Sequence, residues 1–268
     1  MRGEGSSPAA SGFLEAGGSR LEYAWHGPPP GAAPTLGFLH EWLGCVSLWR
    51  DFPARLAEAT GCGALVYRRA GYGRSDPAPL PRPVRFMHDE GLRVLPAVLD
   101  AAGVRDAVLV GHSDGASIAL VHAGSGAAGR VRALLLEAPH VFVEEVSVRS
   151  IAAIGRAYRD TDLRAKLARH HGANVDCAFY GWNGVWLDPE FRAWNIEEYL
   201  PRVSVPVLVV QGEADEYGTP AQVEAIRRQA AGPVETVLLP GVGHSPHRDA
   251  PEATLRAMAR FVASVLVS

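Results

Sequence analysis

Residues 107–120 read AVLVGHSDGASIAL. Four apolar residues end at Gly111, and His112, Ser113 and Asp114 follow. After Gly115 the chain returns to small and apolar residues. The apolar run predicts a buried strand, and ASIALVHAG (116–124) predicts a helix. The strand must then reverse into the helix within about one residue. Such a bend needs tiny neighbours so that strand and helix can approach. It projects the side chain at its apex, Ser113, from the strand tip, with a helix amino terminus beneath it. Gly111–Gly115 fits G-x-S-x-G in the strand–turn–helix context that gives this pattern chemical meaning. A helix N-cap is the competing reading of Ser113. The flanking strand and glycines favour a nucleophile.

Similar apolar runs recur on both sides: LEYAWHG (21–27), TLGFLH (35–40), ALVYRR (64–69), VRALLLEAP (131–139), VPVLVVQG (205–212) and VETVLLPG (234–241). Several are too uniformly apolar for a half-exposed strand and suit a parallel sheet covered on both faces. Helical patterns lie between them. LWRDFPARLAEAT (48–60) carries Pro53 where a first turn tolerates it. In GLRVLPAVLDAAG (91–103), Pro96 predicts a kink or a late start. AQVEAIRRQAAG (221–232) and PEATLRAMARFVASVL (251–266) complete the set. Alternating strands and helices predict an α/β, doubly wound, mostly parallel sheet. The alternation breaks at 141–200, which reads as short helices inserted before the last two strands. This segment is expected to form a small helical cap over the carboxyl edge of the sheet, where open α/β sheets place ligands. The core then comprises 13–140 and 201–268, and residues 1–12, rich in Gly, Ser and Ala, read as a flexible terminus.

Bulk properties exclude more than they select. The 268 residues, 47% of them hydrophobic, suffice for one sizeable core. A net charge of -3 without basic clusters names no nucleic acid partner. No apolar stretch approaches the ~20 residues needed to span a bilayer. Cys45, Cys62 and Cys177 are few and far apart, which suits a reduced, cytoplasmic setting. No His, Cys, Asp or Glu spacing suggests a metal, and the chemistry below needs no cofactor. The expected partner is a small-molecule substrate, with the chain a monomer or homodimer.

A serine hydroxyl is a poor nucleophile until a base takes its proton. His244, in the loop after the last apolar strand and before the last helix, is the first candidate base, and His247 the second. His170 and His171 read as solvated polar groups of the cap. A carboxylate must orient the imidazole and stabilise its charged form. Asp215, in QGEADEYGTP after an apolar strand, is the first choice, and Glu137, at the end of RALLLEAP, remains an alternative. The developing oxyanion needs donors. The Asp114 backbone N–H is one, and the Trp42 N–H, in the loop after TLGFLH, is the expected second. The cap segment is dense in aromatics. Phe179, Trp182 and Trp186 are candidates to line an apolar pocket over Ser113, together with Glu41, although such rings also serve to fasten a cap to its core.

With FLHEW, GYGRSD (71–76), GHSDG, QGEAD and GVGHSPHRDAPE in place, the chain resembles the α/β-hydrolase fold family in its capped form. The resemblance spans nearly the whole length. It implies a serine hydrolase with the chain order Ser113, Asp215, His244. One departure stands out: Glu41 occupies a position where the family usually has glycine. Glu41 either braces its loop or places a carboxylate beside the oxyanion pocket. The expected activity is cleavage of a small apolar or aromatic carboxylic ester through an acyl-enzyme. The same residues would also serve a C–C bond hydrolase, a thioesterase or amidase, or a perhydrolase. A non-catalytic binding protein on this scaffold is the alternative outside enzymes.

Overall fold

The structure, a computed structural model, describes residues 10–44, 46–126 and 129–266. Among the described residues eight strands form one sheet: β1 (Ala10–Ala16), β2 (Ser19–His26), β3 (Thr35–Leu39), β4 (Gly63–Tyr67), β5 (Ala107–His112), β6 (Val131–Glu137), β7 (Val207–Gly212) and β8 (Val234–Leu239). Their spatial order is β1-β2-β4-β3-β5-β6-β7-β8. The β1–β2 and β2–β4 pairs are antiparallel, and every later pair is parallel. The α-helices of the described residues are α1 (Phe52–Thr60), α2 (Phe86–Asp89), α3 (Leu95–Ala101), α4 (Asp114–Ala123), α5 (Glu145–Asp160), α6 (Leu163–His171), α7 (Val175–Trp186), α8 (Pro220–Gln229), α9 (Pro246–Asp249) and α10 (Pro251–Leu266).

The apolar runs become central strands because both of their faces are covered. Val108 and Val110 of β5 face a layer that holds Phe52 and Leu56 of α1 and Met258 and Phe261 of α10. Ala107 and Leu109, on the other face, join Val98 and Leu99 of α3, Ile118 of α4 and Ile226 of α8. All of β3, β4, β5 and β7 is buried. Each fully buried Leu, Val or Phe contributes about 1.5–3 kcal/mol.

Two expectations need correction. Residues 10–12 are not part of a flexible end. They belong to β1, which pairs along its whole length with β2, so that Ala10 faces Trp25. The remainder of that segment, 1–9, lies outside the described residues. The second concerns Pro96. The helical stretch begins ten residues earlier than the proline, at Phe86, and is carried past it by a π-helical turn over Glu90–Val94. A proline donates no N–H and its ring crowds the preceding turn. A wide turn just before it resolves both conflicts without breaking the helix.

The connection from β6 to β7 is the cap. It consists of α5, α6 and α7, with a 3₁₀ turn at Gly172–Asn174 between α6 and α7 and two more after α7, at Pro189–Ala193 and Glu197–Arg202. It covers the carboxyl ends of the parallel strands. Among the described residues no helix is long and apolar enough to cross a membrane.

Candidate active site

Only Ser113 separates the end of β5 from the start of α4, and its backbone sits at φ 54°, ψ −121°. A positive φ in a residue with a Cβ costs on the order of 1–3 kcal/mol and persists only where its surroundings enforce it. Here the Ser113 N–H donates to the Glu137 carbonyl at 2.9 Å, and its own carbonyl accepts from the N–H groups of Ala116 and Ser117. The two glycines leave no room for a side chain. A Cβ on Gly115 would lie 2.1 Å from the Leu39 carbonyl oxygen, and one on Gly111 would lie 2.6 Å from Ala116 Cα.

The bend brings Ser113 Oγ to 2.9 Å from His244 Nε2. His244 Nδ1 lies 2.9 and 3.0 Å from the two carboxylate oxygens of Asp215. Asp215 also accepts from the backbone N–H groups of Tyr217 and Gly218 and from Gln211 Nε2. With Nδ1–H donated to this carboxylate, Nε2 carries the lone pair that faces the serine hydroxyl. Burial works against a charged Asp215, but the hydrogen bond and charge of His244, together with the Tyr217 N–H, hold its pKa down at about 2. Burial likewise pulls His244 down. Its hydrogen bond to Asp215 and that carboxylate's charge, with help from Glu41 and Glu216, outweigh burial and raise it above the ordinary imidazole value. A base tied to a fixed carboxylate, and facing a strained hydroxyl, is the arrangement that can remove the hydroxyl proton.

The alternative residues are placed elsewhere. His247 Nδ1–H and its backbone N–H both donate to Glu137 Oε2 at 2.9 Å. Its ring packs against Trp49 and Phe52 at 4.5 and 5.8 Å. Among the described residues, the His247 and Glu137 side chains hydrogen-bond to each other and not to Ser113 or Asp215.

Asp114 opens α4, and the first N–H groups of a helix have no intrahelical acceptor. Trp42 sits in the turn after β3, closed by a Gly44 N–H to Glu41 carbonyl bond. This turn is held from below by Arg69, buried to 1% exposure, whose guanidinium donates to the carbonyls of His40 and Glu41 at 3.0 and 3.1 Å. It is held from above by the cap, where the indole of Trp182 stacks on Trp42 with ring centroids 3.6 Å apart. Trp186 Nε1–H donates to Asp114 Oδ1 at 3.2 Å. Burial, offset only in part by Arg69 and this indole, raises the Asp114 carboxyl to about 6.

A cleft of about 310 Å³ reaches His244. Its walls are Glu41, Trp42 and Leu43 of the β3 turn, Leu48 of the 3₁₀ turn Val46–Trp49, then Leu163, Lys166, Leu167 and His170 along one face of α6, and Glu216, Tyr217, Ser245 and Arg248. Glu41 lines it as expected. Phe179, Trp182 and Trp186 do not. They are 0–1% exposed: Phe179 stacks on Tyr158 of α5 inside the cap, while Trp182, stacked on Trp42, and Trp186, bonded to Asp114, fasten the cap to the core. α7 buries these rings in packing and leaves the cleft wall to α6. His170, taken as a solvated polar group, belongs to that wall. His171 is buried, between the Gly73 N–H and the Leu43 carbonyl. A wider groove of about 890 Å³ on the other side of α6 is lined by Arg20, Arg68 and Arg74. Their charges are matched by Glu22 and Asp76.

The family model described as "Alpha/beta hydrolase family" matches residues 19–257. The chain belongs to the alpha/beta hydrolase family. Several solved hydrolase-fold structures superpose over almost all of it. VinJ does so at TM-score 0.76 with 25% identity, covering 96% of this chain and 99% of that one. An esterase from Exiguobacterium antarcticum gives TM-score 0.75 at 18% identity, covering 95% and 100%. Proline iminopeptidase from Mycobacterium smegmatis gives 0.69 at 21%, covering 95% and 98%. No curated protein sequence matches the chain.

Within this alpha/beta hydrolase, sequence reasoning missed several cleft residues. Tyr217, whose ring lies 4.7 Å from His244, is two residues beyond Asp215. Leu163, Lys166, Leu167 and His170 share the i, i+3, i+4, i+7 spacing of one helix face. That periodicity was legible, but not what the face covers. Among the described residues no group of three or more His, Cys, Asp or Glu is placed to hold a metal ion.

Proposed function

We propose that this hydrolase cleaves a carboxylic ester of a small apolar or aromatic acid through an acyl-enzyme. The observation that carries the reading is the continuous chain of hydrogen bonds from Ser113 Oγ through His244 to Asp215. In this reading Ser113 Oγ attacks the ester carbonyl as His244 Nε2 takes its proton. The negative oxygen accepts from the backbone N–H groups of Trp42 and Asp114, each worth on the order of 10²–10³ in turnover. His244 then protonates the leaving alcohol and activates the water that releases the acid. No cofactor enters any step, and the partner is a small molecule. The cleft volume, about 310 Å³, lies at the low end of the usual ligand-site range of roughly 300–1,000 Å³. Its Leu43, Leu48, Leu163, Leu167 and Tyr217 walls suit an apolar acyl group.

The test pairs a fluorophosphonate probe with short-chain and aromatic p-nitrophenyl esters. Wild type should be labelled and should turn over the esters. Ser113→Ala should lose labelling and on the order of 10⁶ in kcat, with its melting temperature preserved. Undiminished turnover in that variant would overturn the assignment.

A further inference from the structure

A second buried carboxylate–histidine pair lies behind the first. Glu137 is fully buried and His247 is 6% exposed. Burial opposes a charge on Glu137, yet the charge and hydrogen bonds of His247 hold its carboxyl below the usual range. A buried polar pair of this kind adds little to stability compared with an apolar pair of the same volume. Its connections suggest another use. The Glu137 carbonyl accepts the N–H of Ser113 at 2.9 Å. The carboxylate of the same residue accepts both N–H groups that His247 offers, three residues after His244. The next residue, Ala138, is held at a positive φ of 45°, so local strain is spent where β6 delivers Glu137. Between the two pairs lies His112, its ring 5.2 Å from His244 and 5.1 Å from His247. His112 Nε2–H donates to the His244 carbonyl at 2.7 Å. The base loop is thus fastened at His244 by the residue before the nucleophile, and at His247 by the residue that holds the nucleophile's N–H.

We infer that Glu137 and His247 are positioning residues, which lock the base loop to the nucleophile bend and so set the Ser113–His244 distance. The inference rests on the serine-hydrolase reading. It assigns the pair no proton transfer, because their side-chain hydrogen bonds run to each other and not to Ser113 Oγ or His244 Nε2. Glu137→Gln keeps the carbonyl bond to Ser113, but its neutral amide oxygen accepts the two His247 donors more weakly than a carboxylate does, and its NH2 falls where Glu137 Oε1 is buried without a hydrogen-bond partner. A misplacement of about 1 Å between reacting groups costs up to ~10²-fold in rate.

The experiment measures kcat, KM and the pH profile of p-nitrophenyl ester turnover for Glu137→Gln, His247→Gln and the double variant, with melting temperatures alongside. Each single variant should lose about 10- to 100-fold in kcat, with KM within about twofold and the acid limb unmoved. The double variant should lose no more than the worse single one, because both changes break one connection. Overturning results are a kcat within about twofold of wild type despite a lowered melting temperature, independent multiplicative losses, or an acid limb displaced as in Asp215→Asn. If Glu137→Gln fails to fold, His247→Gln decides by its own kcat, KM and acid limb. Failure of the serine reading is separate: it shows as wild-type turnover in Ser113→Ala, whatever Glu137→Gln does.

Discussion

Ser113 combines two costs, a left-handed backbone and a buried hydroxyl at 1% exposure. Both are sustained by glycines that let the β3 end pass within contact of α4. Its partner His244 is held in one tautomer by Asp215, and that carboxylate also raises the imidazole pKa. A base must be unprotonated to act. Activity should therefore fall on the acid side through a pKa above the ordinary imidazole value of about 6.5. Asp215→Asn removes the group that raises it. The acid limb of kcat/KM should move to lower pH, while kcat drops by on the order of 10⁴ because the tautomer is no longer fixed. A pH–rate profile of p-nitrophenyl acetate hydrolysis for both proteins checks the direction. An acid limb that stays put or rises would count against Asp215 as the orienting group.

Among the elements, α7 and the turn after β3 act as one unit. α7 is buried along most of its length, with Ala178, Phe179, Trp182, Val185 and Trp186 facing inward. Two of these rings meet residues proposed to supply the oxyanion donors, Trp182 on Trp42 and Trp186 on Asp114. Cap docking and the placement of the proposed oxyanion donors are therefore one packing problem. Trp182→Ala should cost about 3–5 kcal/mol of stability, the usual range for removing a large buried ring. It should also lower kcat, because Trp42 loses its upper support while Arg69 still holds the turn from below. Urea denaturation and ester kinetics on the same sample test both halves. A stability loss with kcat intact would separate the cap from the donors. α6 plays a different part, since Leu163, Leu167 and His170 form the cleft wall. It takes few buried residues into the core, only Leu167 and His171.

Across the whole molecule, the carboxyl edge of the sheet gathers histidines that are buried and neutral. Burial, the largest cause in each case, lowers His112 and His171 to about 4 and His140 to about 3. Unfolded, each would titrate near 6.5. As pH falls below 6.5 the unfolded chain takes up these protons and the folded one does not, so stability declines. The decline continues until the folded values are reached, between about pH 4 and 3. The melting temperature should fall steadily from pH 7 to 4.5, each group contributing up to ~1.4 kcal/mol per pH unit in that window. Calorimetry across the range checks it, and a flat melting temperature would contradict neutral burial of these rings.

Much of this architecture was written locally. Apolar runs buried on both faces read as parallel strands from composition, and the bend at Ser113 was legible because glycine spacing there is a steric requirement between adjacent elements. β1 escaped notice because ASGFLEA is an edge strand, exposed on one side, and its small polar residues look like those of a loose end. Asp215 and His244 could be nominated from their loops, since a strand end followed by a polar loop has few places to point. The sequence by itself therefore determined the layered sheet, the cap insertion and the residues that could form a nucleophile–base–acid set. Only the tertiary structure placed Asp215 rather than Glu137 within hydrogen-bond reach of His244, sent the aromatic side chains into packing rather than into the cleft, and set one face of α6 along the cleft that reaches His244. Each of those outcomes depends on the direction of side chains separated by tens to more than a hundred residues, and that direction is set by how the layers pack, which no local pattern records.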